Sequence, residues 1–143
     1  MRSLLFRLML SGILLISLIS CAQASKSEKS TTKTNKTMDS SKITNQTVKN
    51  AVEALQENNK SLWFSYFTDD AVFTDDGRKL DFKPFFENAF AHKEKFLSID
   101  KVENDGTAIY GSFFAGQWGT FNVFFKFSVN SEGKINRLDI GQN

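Results

Sequence analysis

The apolar residues of this chain change period part-way along it, and that change limits the folds it can adopt. In three stretches up to Phe90 they recur at helical spacing, and from Phe96 onward they alternate. Val48, Ala51, Val52 and Leu55 follow the i, i+3, i+4, i+7 pattern of an amphipathic helix, with Asn45 or Thr47 available as its cap. Asn58-Asn59 breaks this helix, and Leu62, Trp63, Tyr66 and Phe67 give a second, short one its aromatic face. A third begins at the N-cap Asp81, tolerates Pro84 in its first turn, and carries Phe82, Phe85, Phe86, Ala89 and Phe90 as one apolar stripe. Residues 96–104 and 107–117 then read as strands around the turn Asn104-Asp105-Gly106. In 120–129, Phe121, Val123, Phe125, Phe127 and Val129 alternate with Asn122, Lys126 and Ser128. A turn at Asn130-Ser131-Glu132-Gly133 leads into a last strand, 134–141, and short strands at 71–74 and 78–80 flank Asp75-Asp76-Gly77. The order helix, helix, strand, strand, helix and four antiparallel strands predicts an α+β architecture, with helices covering one face of a curved sheet.

Cys21 is the only cysteine, so the chain has no internal disulfide and its core must hold by packing alone. Fifteen phenylalanines against two tyrosines and two tryptophans make that core bulky and short of polar handles. Each buried ring contributes roughly 1.5–3 kcal/mol. Phe124 and the pair Phe113-Phe114 put aromatics on both faces of their strands, and the outward ones suggest a partner surface. Trp63, Tyr66, Phe67, Phe86, Phe90, Tyr110 and Trp118 are the candidates for a ligand pocket and its mouth, since Trp and Tyr join apolar area to a polar tip. Trp118 reads equally as a turn residue packing over the sheet edge.

The N-terminus bears on location. Arg2 and Arg7 precede a run from Leu8 to Ile19 that is apolar apart from Ser11, Gly12 and Ser17. A bilayer span needs roughly 20 apolar residues; this shorter run has the proportions of a secretory h-region. Its end, Leu18-Ile19-Ser20-Cys21, resembles the bacterial lipoprotein signal, in which the cysteine is lipidated and becomes the mature N-terminus. The resemblance implies acylation of Cys21 and a lipid anchor in the cell envelope, on the periplasmic face of the outer membrane where there are two membranes. The other reading is an ordinary signal peptide cleaved after Ala22-Gln23-Ala24, leaving Cys21 free.

Loss of the first twenty residues takes the formal charge from +2 to zero. Residues 22–45 carry five lysines and almost no apolar residue besides Met38 and Ile43, the composition of a disordered tether spanning roughly 25–30 Å. The rest is mildly acidic, which argues against nucleic acid as a partner. The expected organisation is therefore a signal peptide at 1–20, the lipidated cysteine and tether at 21–45, and one domain at 46–143.

Within that domain, the element order, the segment Tyr66-Phe67-Thr68-Asp69-Asp70-Ala71-Val72-Phe73 and the ending Gly133-Lys134-Ile135-Asn136-Arg137-Leu138-Asp139-Ile140 resemble the nuclear transport factor 2-like superfamily. The superfamily includes ketosteroid isomerases and polyketide cyclases. The resemblance implies a cone-shaped, curved antiparallel sheet wrapped round three helices, an apolar cavity at the wide end, and frequent dimerisation through the sheet's outer face. It says little about activity, because one scaffold hosts enzymes and binders alike.

Asp75 is the one catalytic candidate. Against the ketosteroid isomerase pattern, Asp70-Ala71 places Asp75 at the proton-shuttling base, a role open to a carboxylate facing an apolar pocket. The tyrosine that donates to the oxyanion in that pattern falls at about Ala51, which has no donor. Asp-Gly is also a standard turn pair, and a solvated hairpin at Asp75-Asp76-Gly77-Arg78 explains both aspartates without chemistry. His92 reads as an exposed residue at a helix C-terminus, where it suits the dipole. One histidine without a second ligand cluster predicts no metal, and no cofactor motif is present.

The leading expectation is a membrane-tethered, non-enzymatic domain that binds a small apolar ligand or an envelope protein. The runner-up is an isomerase, cyclase or dehydratase with Asp75 as base and Tyr66 or Tyr110 as oxyanion donor. A third is a structural dimer whose cavity its own phenylalanines fill.

Overall fold

The computed structural model describes residues 38–143; the expected signal peptide, Cys21 and most of the tether lie outside them. Helix α1 (Gln46–Gln56) starts at Asn45, whose side chain accepts from the Val48 N–H at 3.1 Å. At its other end Asn58 takes a left-handed conformation (φ 56°), and the Asn59 N–H returns to the Ala54 carbonyl at 2.8 Å. The Asn59 side chain then accepts from the Leu62 N–H and opens α2 (Lys60–Ser65). The asparagine pair thus ends one helix and starts the next.

The packed domain begins before the expected boundary at Gln46. Residues Ser40–Lys42 form a 3-10 turn, Ile43 is buried, and Met38 packs against the core. Ser40 Oγ donates to Glu53 Oε1 at 2.6 Å, and Lys42 Nζ to the Ile99 carbonyl at 3.0 Å. The two apolar residues of the polar segment are the ones that fasten its end to the domain.

Six strands follow in one curved, open sheet: β1 (Phe67–Asp75), β2 (Arg78–Lys79), β3 (Lys95–Glu103), β4 (Ala108–Phe114), β5 (Thr120–Val129) and β6 (Ile135–Gln142), with α3 (Phe82–Ala91) between β2 and β3. Their order is β2-β1-β6-β5-β4-β3. The fold is α+β with three helices, as expected. One correction concerns the pairing: β1 lies parallel to β6, so the sheet is mixed and not wholly antiparallel. Alternation shows which face of a strand is buried, not which strand lies beside it. The strand expected to run to Gln117 stops at Phe114, and Gly116–Trp118 form a 3-10 turn before β5.

One face of the sheet is the core face. Phe113, Val123, Phe125, Phe127, Leu138, Ile140 and Phe73 are buried on it, together with the stripes of α1 and α3. Trp63 of α2 is fully buried, with ring centroids 4.8 Å from Phe67 and 4.7 Å from Phe86. Its indole Nε1 has no hydrogen-bond partner among the described residues, so the hub of this cluster is held by ring packing alone.

Candidate functional site

The β1–β2 hairpin separates two adjacent aspartates. Asp76 (φ 46°) and Gly77 (φ 78°) are both left-handed and form the two-residue turn, and Asp75 pairs across it with Arg78. Asp76 Oδ1 accepts from the Gln142 N–H at 3.0 Å, and its own N–H donates to the Ile140 carbonyl at 2.9 Å. The approach needs Gly141, where a Cβ would stand 2.5 Å from Asp76 Oδ1 and 2.7 Å from Phe124 Cζ. Asp75 is the last residue of β1. Side chains two apart on a strand share a face, so Asp75 follows Phe73 onto the core side. The solvated-turn reading therefore fits Asp76 and not Asp75, which is half-buried.

A second acid arrives from the end of α3. His92 is the helix's last half-turn residue, its Nδ1 2.9 Å from the Asn88 carbonyl. Lys93 is left-handed (φ 54°), its N–H bonds the Phe90 carbonyl, and the Glu94 N–H bonds the Ala89 carbonyl. This is a complete Schellman motif, whose last position normally turns an apolar side chain back against the helix. Here that position holds Glu94, which is only 8 % exposed. The 3-10 turn closes over it: a Cβ at Gly116 would stand 3.2 Å from Glu94 Oε1 and 2.8 Å from His92 Cβ. No described residue hydrogen-bonds the Glu94 carboxyl.

Asp75 and Glu94 both line a cavity of about 390 Å³ between α3 and the sheet. Phe85 and Phe86 wall it on the helix side, Phe113, Phe125 and Ile140 on the sheet side, and Phe121 and the 70 %-exposed Trp118 stand at its mouth. Asp76, Asn88 and Gln142 complete the polar part of the lining. Burial pushes the Asp75 carboxyl above its ordinary range; the neighbouring Asp76 adds to the rise and Arg78 opposes it. Burial raises Glu94 as well, with His92 acting the other way.

The seven aromatics expected at the pocket divide. Phe86 and Trp118 line the cavity. Trp63 and Phe90 are core residues instead, because α2 and α3 turn them toward each other. Phe67 belongs to a separate hollow of about 490 Å³ beside Phe82 and Leu80. Tyr66 is the C-cap of α2, packed against the core with its carbonyl accepting from the Ile135 N–H. Tyr110 lies on the outer face of the sheet, with Lys101 Nζ 4.5 Å from its ring centroid; the alternation of β4 assigns Phe113 inward and Tyr110 outward. Glu94 escaped the sequence reading because it sits in the polar run after α3. The left-handed position that turns it inward is Lys93, not the glycine or asparagine that would have signalled such a reversal in the sequence.

A curved mixed sheet packed on three helices, with a cavity between α3 and the sheet, has clear counterparts among solved structures. It is similar to a nuclear transport factor 2-like protein of unknown function from Cytophaga hutchinsonii, with a TM-score of 0.58 at 14 % identity over 70 % of this chain and 89 % of that one. This is the nuclear transport factor 2-like fold. A candidate polyketide cyclase from Sinorhizobium meliloti shares it (TM-score 0.52, 19 % identity, 66 % of this chain and 92 % of that one). So does another from Xanthomonas campestris pv. campestris (TM-score 0.51, 12 % identity, 73 % and 93 %). No protein-family model matches the sequence, and no curated protein matches it significantly. The likeness is therefore one of fold.

Proposed function

We propose that this domain binds a small, mostly apolar molecule in the cavity between α3 and the sheet, and that lipid on Cys21 holds it at a bacterial membrane. The observation that carries the reading is the cavity itself. Its roughly 390 Å³ are walled by aromatic rings that leave the space unfilled, and ligand sites are typically apolar hollows of about 300–1,000 Å³ with a few polar groups. The lining contains no hydroxyl or imidazole among the described residues, which favours binding over turnover. Native mass spectrometry of the whole chain taken from membranes should show a retained small molecule. A chain that is always empty and takes up none of a panel of apolar probes would end this reading. The anchor is tested separately. Cys21→Ser should abolish detergent-phase partitioning, and unchanged partitioning would remove the lipid.

A second reading rests on the two acids. Asp75 as base and a neutral Glu94 as hydrogen-bond donor form an acid–base pair suited to proton transfer next to a carbonyl. Tyr66 and Tyr110 are not part of the cavity lining, so Glu94 takes the donor role. On this reading Asp75→Asn lowers turnover of an enolisable ketone by about 10²- to 10⁴-fold, and a wild-type chain with no turnover rules it out.

A further inference from the structure

The cavity's charge and its walls do not match. Three of its lining residues, Asp75, Asp76 and Glu94, are acids, and no lysine, arginine or histidine lines it among the described residues. Arg78 and His92 act on the acids from outside the wall. Asp76 has a structural task, holding the Gln142 N–H. Glu94 has none: it is more than nine-tenths buried, lines the cavity, and no described residue hydrogen-bonds it. A buried carboxyl group needs either a counter-charge or a proton. Nor are the acids gathered as a metal site, since no group of three His, Cys, Asp or Glu among the described residues is placed to hold an ion. Around them stand the faces and edges of Phe85, Phe86, Phe113, Phe121, Phe125 and Trp118. Aromatic faces attract cations, most strongly where water is excluded, and Trp is the best of them.

We infer that the cavity selects organic cations: a small hydrophobic amine, its ammonium facing Asp75 and Glu94 and its apolar body against the phenylalanine walls. The inference rests on the cavity being a ligand site. It names the ligand's charge, which that reading leaves open. A neutral ketone or alcohol brings no counter-charge and leaves Glu94 to its proton, and a carboxylate ligand would be repelled by an ionised Asp75 or Glu94. An ammonium satisfies both acids and the rings together. Affinity should therefore rise with pH through the range in which Asp75 and Glu94 ionise, with Asp76 and Arg78 facing the first and His92 the second. Binding in mildly acidic buffer should release protons, because the cation favours the charged carboxylates.

Three probes of matched shape test this by calorimetry on the whole chain in detergent micelles, with micelles alone as the blank: 1-naphthylmethylamine, 1-naphthylmethanol and 1-naphthoate. The amine should bind at least about tenfold more tightly than the alcohol, the lower end of what one charge-assisted hydrogen bond contributes. The naphthoate should bind most weakly. Glu94→Gln should shrink the amine's advantage over the alcohol. Repeating the amine titration in two buffers of different ionisation heat should show proton release. Equal affinities for amine and alcohol, without proton release, would overturn the inference while leaving an apolar ligand site intact. Failure of all three probes to bind would overturn both. The wild-type comparison and its proton release decide the matter even where the Glu94 variant does not fold.

Discussion

Two regions of the interior are built from the same residue and end differently. Around Trp63, the rings of Phe67, Phe82, Phe86 and Phe90 close on one another, and the tryptophan is fully buried. Beside Trp118, Phe85 and Phe86 face Phe113 and Phe125 across about 390 Å³ of space. The rings form two sets, one on the helices and β1 and one on β3, β4 and β5, and no ring of the first stacks on a ring of the second among the described residues. The cavity lies where the two sets would have met. Phenylalanine content alone therefore does not close a core. What differs is the company the rings keep: Trp63 is ringed by Phe67, Phe82, Phe86 and Phe90, whereas the space beside Trp118 is shared with Asp75 and Glu94.

The largest effect should come from the closed region. Trp63→Ala removes a side chain with no exposed surface and should cost about 3–5 kcal/mol, against a usual domain stability of about 5–15 kcal/mol. Phe121→Ala, at the half-buried cavity mouth, should cost less than about 1.5 kcal/mol, since the space it leaves is already open. Urea unfolding of both variants measures the difference. Equal losses would mean that the two regions are packed alike and that the contrast is false.

That contrast was only partly legible in the sequence. The starts of α1 and α3 were readable because Asn45 and Asp81 stand there, although Asp81 makes no side-chain cap bond; Asn59, read only as a break, also caps α2, and Phe67, read as helical, opens β1. β5 was readable to the residue from its alternation. The parallel pairing of β1 with β6 was not, because residues 67–75 and 135–142 meet only after the intervening chain has folded. The same limit hid the site. Asp75 and Asp76 look alike as letters, and only the position of the turn puts one on the core face and the other on the Gln142 N–H. Glu94, between Lys93 and Lys95, has the neighbours of a surface residue. Its burial follows from the backbone reversal at Lys93, which no side-chain pattern records.

The acids of the open region should make it a source of instability, and pH gives the sign. Asp75 and Glu94 have folded pKa values raised above their unfolded ones, so around those values the native state holds more protons than the unfolded chain. Their contribution to stability falls as pH rises from the unfolded carboxyl range through the raised folded values. Asp139 behaves oppositely. Its hydrogen bonds from Arg137 hold it below its usual range, burial offsets part of this, and Thr74 adds to the lowering. Its stabilisation is present above the unfolded value and is lost as pH falls through the folded one. Glu94→Gln should therefore stabilise the empty domain at neutral pH, by about 0.5–2 kcal/mol, the gain typical of relieving a residue kept for function. It should also flatten the decline of melting temperature with rising pH. Melting curves across a pH series check both. A destabilised variant would mean that Glu94 holds the fold together and is no part of a ligand site.

The smallest expected change in stability is at the mouth, and it sharpens the comparison most. Trp118 is 70 % exposed, and its place in the 3-10 turn is kept by a backbone hydrogen bond to the Ala115 carbonyl at 3.1 Å. That bond survives replacement of the side chain. Trp118→Ala should therefore leave stability within about 0.5 kcal/mol of wild type. Its ring is nonetheless part of the cavity lining, and the loss of one exposed cation–π contact should weaken binding of 1-naphthylmethylamine by about two- to fivefold. Melting curves and calorimetry on the same preparation separate the two effects. A stability loss above about 1 kcal/mol with unchanged binding would make Trp118 a residue that packs over the sheet edge, and the open region would lose its mouth. Unchanged stability with weakened binding would set it apart from Trp63: of two tryptophans in one small domain, one is there for the fold and the other for what the fold holds.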